Sequence, residues 1–294
     1  MTEGTAESQT HGVVSSAPSA GTPPAMRTTD PAPTPPVVVD HGVLVHTDPA
    51  QDPASLRLAR RRALILSAVL LAVAAAMTVA VAISPRHPVF QGVDLAWDRW
   101  MAEHRSPAAT TAALTLSFIG GAFVTWPLRA LALWLLLRRR RFTQAAAFAV
   151  ATVVAELCIG PIKALLDRPR PEDILVATRS AAFPSGHAIA AAVTAFGLVA
   201  AFLPRGRGRL HWVGLAAAFS ASMALSRTYL HAHWLSDTVA GICIGVACAL
   251  GAEAFFEAAR TEGAEVRHYA EALSAEGTTE PGARADLAPS AVDE

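Results

Sequence analysis

Lysine is almost absent from this chain: of 24 Lys and Arg residues, Lys163 alone is Lys. A chain that uses Arg nearly everywhere and keeps its single Lys inside a polar cluster points to a need for an ammonium there. A coding bias with one survivor gives the same pattern. Charge of any kind is scarce, 16% against 52% hydrophobic residues, which is too apolar for an average soluble protein and makes the membrane the first suspect. The net charge is zero, so the basic surface that nucleic acid requires is missing and no nucleic acid partner is expected. Cysteine is confined to Cys158, Cys243 and Cys248, all in apolar runs. They read as small buried hydrophobes, with neither a disulfide framework nor zinc spacing. An internal repeat is missing too.

What is present begins with a tail. Residues 1–55 are rich in Ser, Thr, Pro, Ala and Gly without helical apolar period, the composition of a disordered segment. It does not read as a signal peptide, because the first long apolar run starts only after Arg62 and lacks a convincing cleavage site. That run, 63–83, carries no charge and is long enough to cross a hydrocarbon core of about 30 Å. VDLAWDRWMAEHRSP (93–107) reads as a short amphipathic helix at the interface, with Trp97 and Trp100 in the headgroup zone. Further apolar runs occupy roughly 110–137, 142–166, 186–204, 210–226 and 235–256, the fifth of the six being the shortest. The fold class expected is therefore all-α, an integral membrane bundle of six transmembrane helices over 56–257, followed by a polar, mostly disordered tail over 258–294.

Arginines orient the bundle, because short cytoplasmic loops collect them. Arg57 and Arg60 to Arg62, Arg138 to Arg141, Arg205, Arg207 and Arg209, and Arg260 all fall on one side. This predicts a multi-pass cell membrane protein with both termini cytoplasmic. Three polar clusters then share the extracytoplasmic face: KALLDRPRP (163–171), FPSGH (183–187) and SRTYLHAHWLSD (226–237).

Each cluster has a chemistry and a plainer reading. In FPSGH, Ser185 is a good N-cap, Gly186 leaves the backbone open, and a helix N-terminus favours an anion, within a turn of which His187 is placed to protonate a leaving oxygen. An ordinary capped helix with an interfacial His has the same sequence. In the third cluster His233 and Asp237 are four apart, so on a helix the carboxylate orients the ring and frees its other nitrogen as a nucleophile. Arg227 is placed to close on the same anion, whereas His231 falls on another face. An interfacial ion pair is the alternative, although Arg, His and Asp are expensive near a membrane boundary unless used. In the first cluster Lys163 supplies a point charge and Arg170 a fork, a common pairing around phosphate, with Arg168 and Arg179 alternates by charge alone.

Written as patterns, the clusters are KxxxxxxRP (Lys163, Arg170, Pro171), PSGH (184–187) and SRxxxxxHxxxD (Ser226, Arg227, His233, Asp237). This resembles the three-part signature of the type 2 phosphatidic acid phosphatase family, over about 63–257. The resemblance implies a helical core shared with bacterial acid phosphatases, glucose 6-phosphatase and vanadium haloperoxidases. It implies that Lys163, Arg170, Ser185, Gly186 and Arg227 hold the phosphoryl oxygens. His233 would attack phosphorus to give a phosphohistidine, Asp237 orient it, and His187 protonate the leaving group. No metal or other cofactor is expected, since cationic side chains do the charge stabilisation. Of the two Arg-Pro pairs in DRPRP, only Arg170 has the family's spacing from Lys163, which leaves Arg168, Arg179 and His231 as bystanders.

The function expected is a metal-independent phosphatase acting on a lipid phosphate drawn from the surrounding membrane lipids. Candidate substrates are a polyprenyl diphosphate such as undecaprenyl diphosphate, phosphatidate, and phosphatidylglycerol phosphate. The alternative is a catalytically idle relative that binds or transports lipid phosphates; a haloperoxidase fits the membrane setting poorly. Oligomeric state is not legible. Outside the signature, Glu156 and Arg129 lie deep in apolar runs and read either as a polar passage or as helix-to-helix pairing. GICIG (241–245) has the small-residue spacing for close helix packing.

Overall fold

The computed structural model describes residues 37–40, 43–46, 53–178 and 180–277. Arg179 lies outside them, as does most of the tail expected to be disordered. Within that tail, strands β1 (Val37–Asp40) and β2 (Val43–His46) form an antiparallel ladder with Val38 opposite Val45. It belongs to a compact unit of its own, Met1–Thr47.

The second unit is helical: α1 (Pro53–Ile83), α2 (Gln91–Glu103), α3 (Pro107–Ile119), α4 (Ala122–Arg138), α5 (Phe142–Leu166), α6 (Gly186–Phe202), α7 (Arg207–Tyr229) and α8 (Leu235–Gly277). Helix α1 is apolar all round and leaves Leu64, Ile65, Leu66, Val69, Leu71 and Val79 exposed, a surface suited to lipid rather than water. Among the described residues three helices are long and apolar enough to cross a membrane: α1, α5 and the first part of α8. The bent pair α3–α4 makes a fourth candidate. Helix α6 is apolar but short, and α7 does not reach that length and apolarity together.

One expectation changes here. The apolar stretch 110–137 is two helices meeting at 43°, not one straight span. The break falls on Gly120–Gly121, where Gly121 is extended and N-caps α4. A Cβ on Gly120 would meet the Met223 side chain of α7 at 2.2 Å, so the hinge sits directly against that helix. At the other end α8 runs on to Gly277, past 257, so that span six continues as a helix into the polar C-terminal stretch.

Helix α8 is the centre of the bundle, packed by α6, α1 and α5. The glycines of GICIG make its closest contact. A Cβ on Gly241 would stand 2.8 Å from the Ser185 carbonyl oxygen, and one on Gly245 2.7 Å from the Ile189 carbonyl oxygen and from Ala192 Cβ. The helix-packing reading of this motif therefore holds, and its consequence is local: the start of α6 lies on the start of α8. Deeper in the bundle, Arg129 of α4 donates to Glu156 of α5 at 2.6 Å, to Thr194 Oγ1 at 2.8 Å and to the Ala190 carbonyl oxygen at 3.1 Å. Pairing between helices, the simpler of the two readings, is what these residues do.

The ends of the bundle differ in chemistry. Arg209 forks onto Glu253 at 2.8 and 2.9 Å, and Arg205 pairs with Glu257, at the end where Arg141 and Arg260 also lie. The C-termini of α5 and α7 and the N-termini of α6 and α8 meet at the other end, and there the three polar clusters come together.

Candidate active site

The segment 167–185 leaves α5 through a left-handed Asp167 and is bonded across itself and to the turn 230–234. Ala182 N–H donates to the Arg168 carbonyl at 2.9 Å, Leu175 N–H to that of Leu230 at 3.0 Å, and Trp234 Nε1–H to that of Pro169 at 2.8 Å. Ser185 N–H donates to the Asp237 carbonyl oxygen at 3.0 Å, joining the second cluster to the third. These bonds satisfy backbone groups that would otherwise be buried unpaired, and they hold the clusters in register.

His233 sits in this turn, ahead of α8 rather than on it. Its Nδ1 is 2.7 Å from the Ala182 carbonyl oxygen and 3.6 Å from Asp237 Oδ2. The ring is therefore oriented first by a backbone carbonyl, with the carboxylate the second neighbour. The shared-helix-face expectation is corrected accordingly: the turn, not a helical i to i+4 relation, brings the pair together. With Nδ1 as donor, Nε2 keeps its lone pair, and it stands 3.5 Å from Arg170 Nη1. Burial pushes the His233 pKa down to about 4, opposed by Asp237 and reinforced by Arg170 and Lys163, so the ring is neutral near pH 7.

Three cations lie at this end of the bundle, one of them facing that nitrogen. Arg170 donates to the carbonyls of Ser180, at 2.8 Å, Ala181, at 3.3 Å, and Ala232. Lys163, in the last turn of α5, donates to Ala181 at 2.5 Å. Arg227, in the last turn of α7, is 4% exposed, donates to Ser117 Oγ, and has its Nε–H without a partner among the described residues. His187, in the first turn of α6, bonds the Ser117 backbone and lies within the charge influence of Arg227, His233 and Lys163.

Ser185 occupies the N-cap of α6 but makes no capping bond, contrary to expectation; its buried Oγ has no partner among the described residues. A buried hydroxyl left free beside a helix N-terminus is costly unless another group engages it. At Gly186 a Cβ would touch only Ile159, at 3.6 Å, so protein packing does not demand this glycine. All eight residues singled out from sequence thus lie at one end of the bundle, with Arg170 against His233 and Ser185 and His233 each against Asp237.

Sequence reasoning set Arg168 aside and passed over Asp94. Arg168 is fully buried, with Nη1 donating to Asp237 Oδ1 at 2.5 Å and Ser236 Oγ at 2.8 Å. Its Nη2 donates to Asp94 Oδ2 at 2.7 Å and Gln91 Oε1 at 2.9 Å. Helix α2 does expose Trp100, stacked on Trp97 with centroids 5.3 Å apart, in keeping with an interfacial helix. It also turns two carboxylates inward: Asp94 to Arg168, and Asp98 to His231 Nδ1 at 2.9 Å. Their spacing of four residues in VDLAWD was the available signal.

With this geometry in place, comparison with known proteins is informative. Residues 144–260 match the family model described as PAP2 superfamily. No curated protein matches the chain. Among solved structures, the chain is similar to a transmembrane PAP2 type phosphatidylglycerolphosphate phosphatase from Bacillus subtilis. The TM-score is 0.55 at 22% identity, covering 66% of this chain and 96% of that one. It is also similar to LpxE of Aquifex aeolicus, with a TM-score of 0.46 at 21% identity, covering 54% and 93% of the two chains. The first likeness establishes a shared fold, and the family match falls on the segment that carries all three motifs. The segment 144–260 is thus similar to the PAP2 superfamily.

Proposed function

We propose that the protein is an integral membrane lipid phosphatase that hydrolyses a phosphate monoester or diphosphate of a lipid through a phosphohistidine. The observation that carries this reading is the meeting of Lys163, Arg170, Arg227 and the Ser185 hydroxyl, unpartnered among the described residues, at the end of the bundle where Arg170 Nη1 faces His233 Nε2 at 3.5 Å. Three cations and a hydroxyl at a helix start suit a phosphoryl group, whose charge they stabilise where it develops. In the first step the Nε2 lone pair forms a bond to phosphorus as the bond to the leaving oxygen breaks, and His187 gives that oxygen its proton. In the second step a water attacks phosphorus, His187 takes the water's proton, the N–P bond breaks, and phosphate departs.

Six transmembrane passes are the reading we favour, counting α1, the bent pair α3–α4, α5, α6, α7 and α8. The Arg-rich end is then cytoplasmic and the site extracytoplasmic, with the lipid entering sideways from the outer leaflet. Cationic side chains take the place of a metal in this scheme.

The test is phosphate release from phosphatidate, phosphatidylglycerol phosphate and undecaprenyl diphosphate by purified protein in EDTA. Release that His233→Ala abolishes while the fold survives supports the reading; strict dependence on added magnesium overturns the mechanism. No release from any of the three leaves the idle lipid-phosphate binder. A reporter inserted after Arg179 that reads as cytoplasmic overturns the orientation.

A further inference from the structure

Arg168 is unsuited to hold substrate. Both of its terminal nitrogens are committed to Asp237, Ser236, Asp94 and Gln91, and the rings of Phe90 and Trp234 flank it, each 5.6 Å away. Asp94 is equally committed. Besides Arg168 it accepts from Ser236 N–H at 2.9 Å and Ser236 Oγ–H at 2.6 Å. A guanidinium between two carboxylates, all three buried, with both terminal nitrogens satisfied and Nε–H alone unpartnered among the described residues, depends on its carboxylate partners staying in place, and that dependence fixes geometry. What it fixes is the Asp237 carboxylate. With Oδ1 held by Arg168, Oδ2 accepts Trp234 N–H at 2.9 Å and stands 3.6 Å from His233 Nδ1.

We propose that Asp94 and Arg168 are positioning residues: the pair pins Asp237, and through it the turn that aims the His233 ring at the phosphate. The inference rests on the phosphatase reading above. It extends the working apparatus beyond the matched segment 144–260 to α2, so that a helix at the membrane interface braces the nucleophile. It also reverses the relative standing of the two arginines in DRPRP, since Arg170 faces the reacting nitrogen while Arg168 faces the carboxylate behind it.

The test is a double-mutant cycle on the purified full-length chain, using whichever of the three lipid phosphates the wild type turns over fastest. Asp94→Asn should lower kcat about tenfold and Arg168→Gln about 100-fold, with KM held within about threefold. Arg168→Lys should recover about tenfold of the Arg168→Gln loss, because an ammonium keeps the charge but not the fork. In an Asp237→Asn background, Arg168→Gln should cost less than about threefold more, because its effect passes through Asp237. Losses that multiply in that background, or that follow thermal stability instead of kcat, overturn the positioning role. If Arg168→Gln does not fold, Asp94→Asn and Arg168→Lys complete the same cycle. A wild type that releases no phosphate overturns the phosphatase reading and this inference together. Activity lost in His233→Ala, combined with multiplying losses, overturns the positioning role alone.

Discussion

Arg168 Nη1 lies 2.5 Å from Asp237 Oδ1, inside a buried network that no phosphate-binding scheme requires. Asp237 is in consequence shared between a cation on one side and a histidine on the other, at 3.6 Å. The carboxylate expected to orient His233 by direct hydrogen bonding is instead itself held, and the Ala182 carbonyl makes the shorter contact. The predictions below concern the groups around this arrangement.

Acid should affect activity late and stability early. His233 has its pKa pushed down by burial to about 4, so the neutral nucleophile persists well below pH 6. The acid limb of kcat/KM from this group should fall near pH 4. Because the folded value lies below the unfolded one, the unfolded chain takes up a proton first as pH drops. Stability from this group is full above about 6.5 and is lost as pH falls from there towards the folded value. Thermal unfolding of wild type and His233→Gln across pH 4–7 checks this, with the wild type losing more stability on acidification.

Arg170→Lys should not be conservative. The guanidinium spans Ser180, Ala181 and Ala232 while facing His233 Nε2, and a point charge reproduces neither the fork nor its reach. A fall in kcat/KM of about 10- to 100-fold is expected, with unchanged unfolding temperature, measured by steady-state phosphate release.

The Arg129–Glu156 pair should be asymmetric. Arg129 is 3% exposed and Glu156 28%. Glu156→Leu strands a buried guanidinium and should cost about 3–5 kcal/mol, whereas Arg129→Leu leaves a carboxylate that is partly exposed and should cost less. Denaturation of the two single variants and the double variant in detergent tests the order, with the double variant closer to wild type than Glu156→Leu.

Gly245→Ala should loosen the bundle where α6 meets α8. The added Cβ meets backbone of Ile189 and Val193, which cannot rotate aside. A loss of about 1–3 kcal/mol is expected by thermal unfolding. Gly263→Ala, with open space around it in the same helix, serves as the control for the helix-propensity gain alone and should stabilise slightly.

The sequence by itself determined the helical, strongly apolar character of 53–277 and the motif residues that lie at one end of it. Apolar runs long enough to cross a bilayer follow from composition and length, and the spacings in KxxxxxxRP, PSGH and SRxxxxxHxxxD survive in linear order. Such signals are local or nearly so. The same is true of GICIG, whose small-residue spacing states a packing face without naming the partner helix.

Only the tertiary structure decided what lies behind His233. The break at Gly120–Gly121 was legible as a glycine pair, but its bend depends on contact with Met223 of α7. Ser185 was a plausible N-cap until its hydroxyl proved free. Asp94 and Arg168 are 74 residues apart, and neither carries a pattern that names the other. The energy of a buried ion pair comes from distance and desolvation, which chain folding creates and linear spacing does not encode. Two arginines one residue apart in DRPRP therefore look equivalent as text. The turn of the chain through Pro169 directs one to His233 and the other to Asp237.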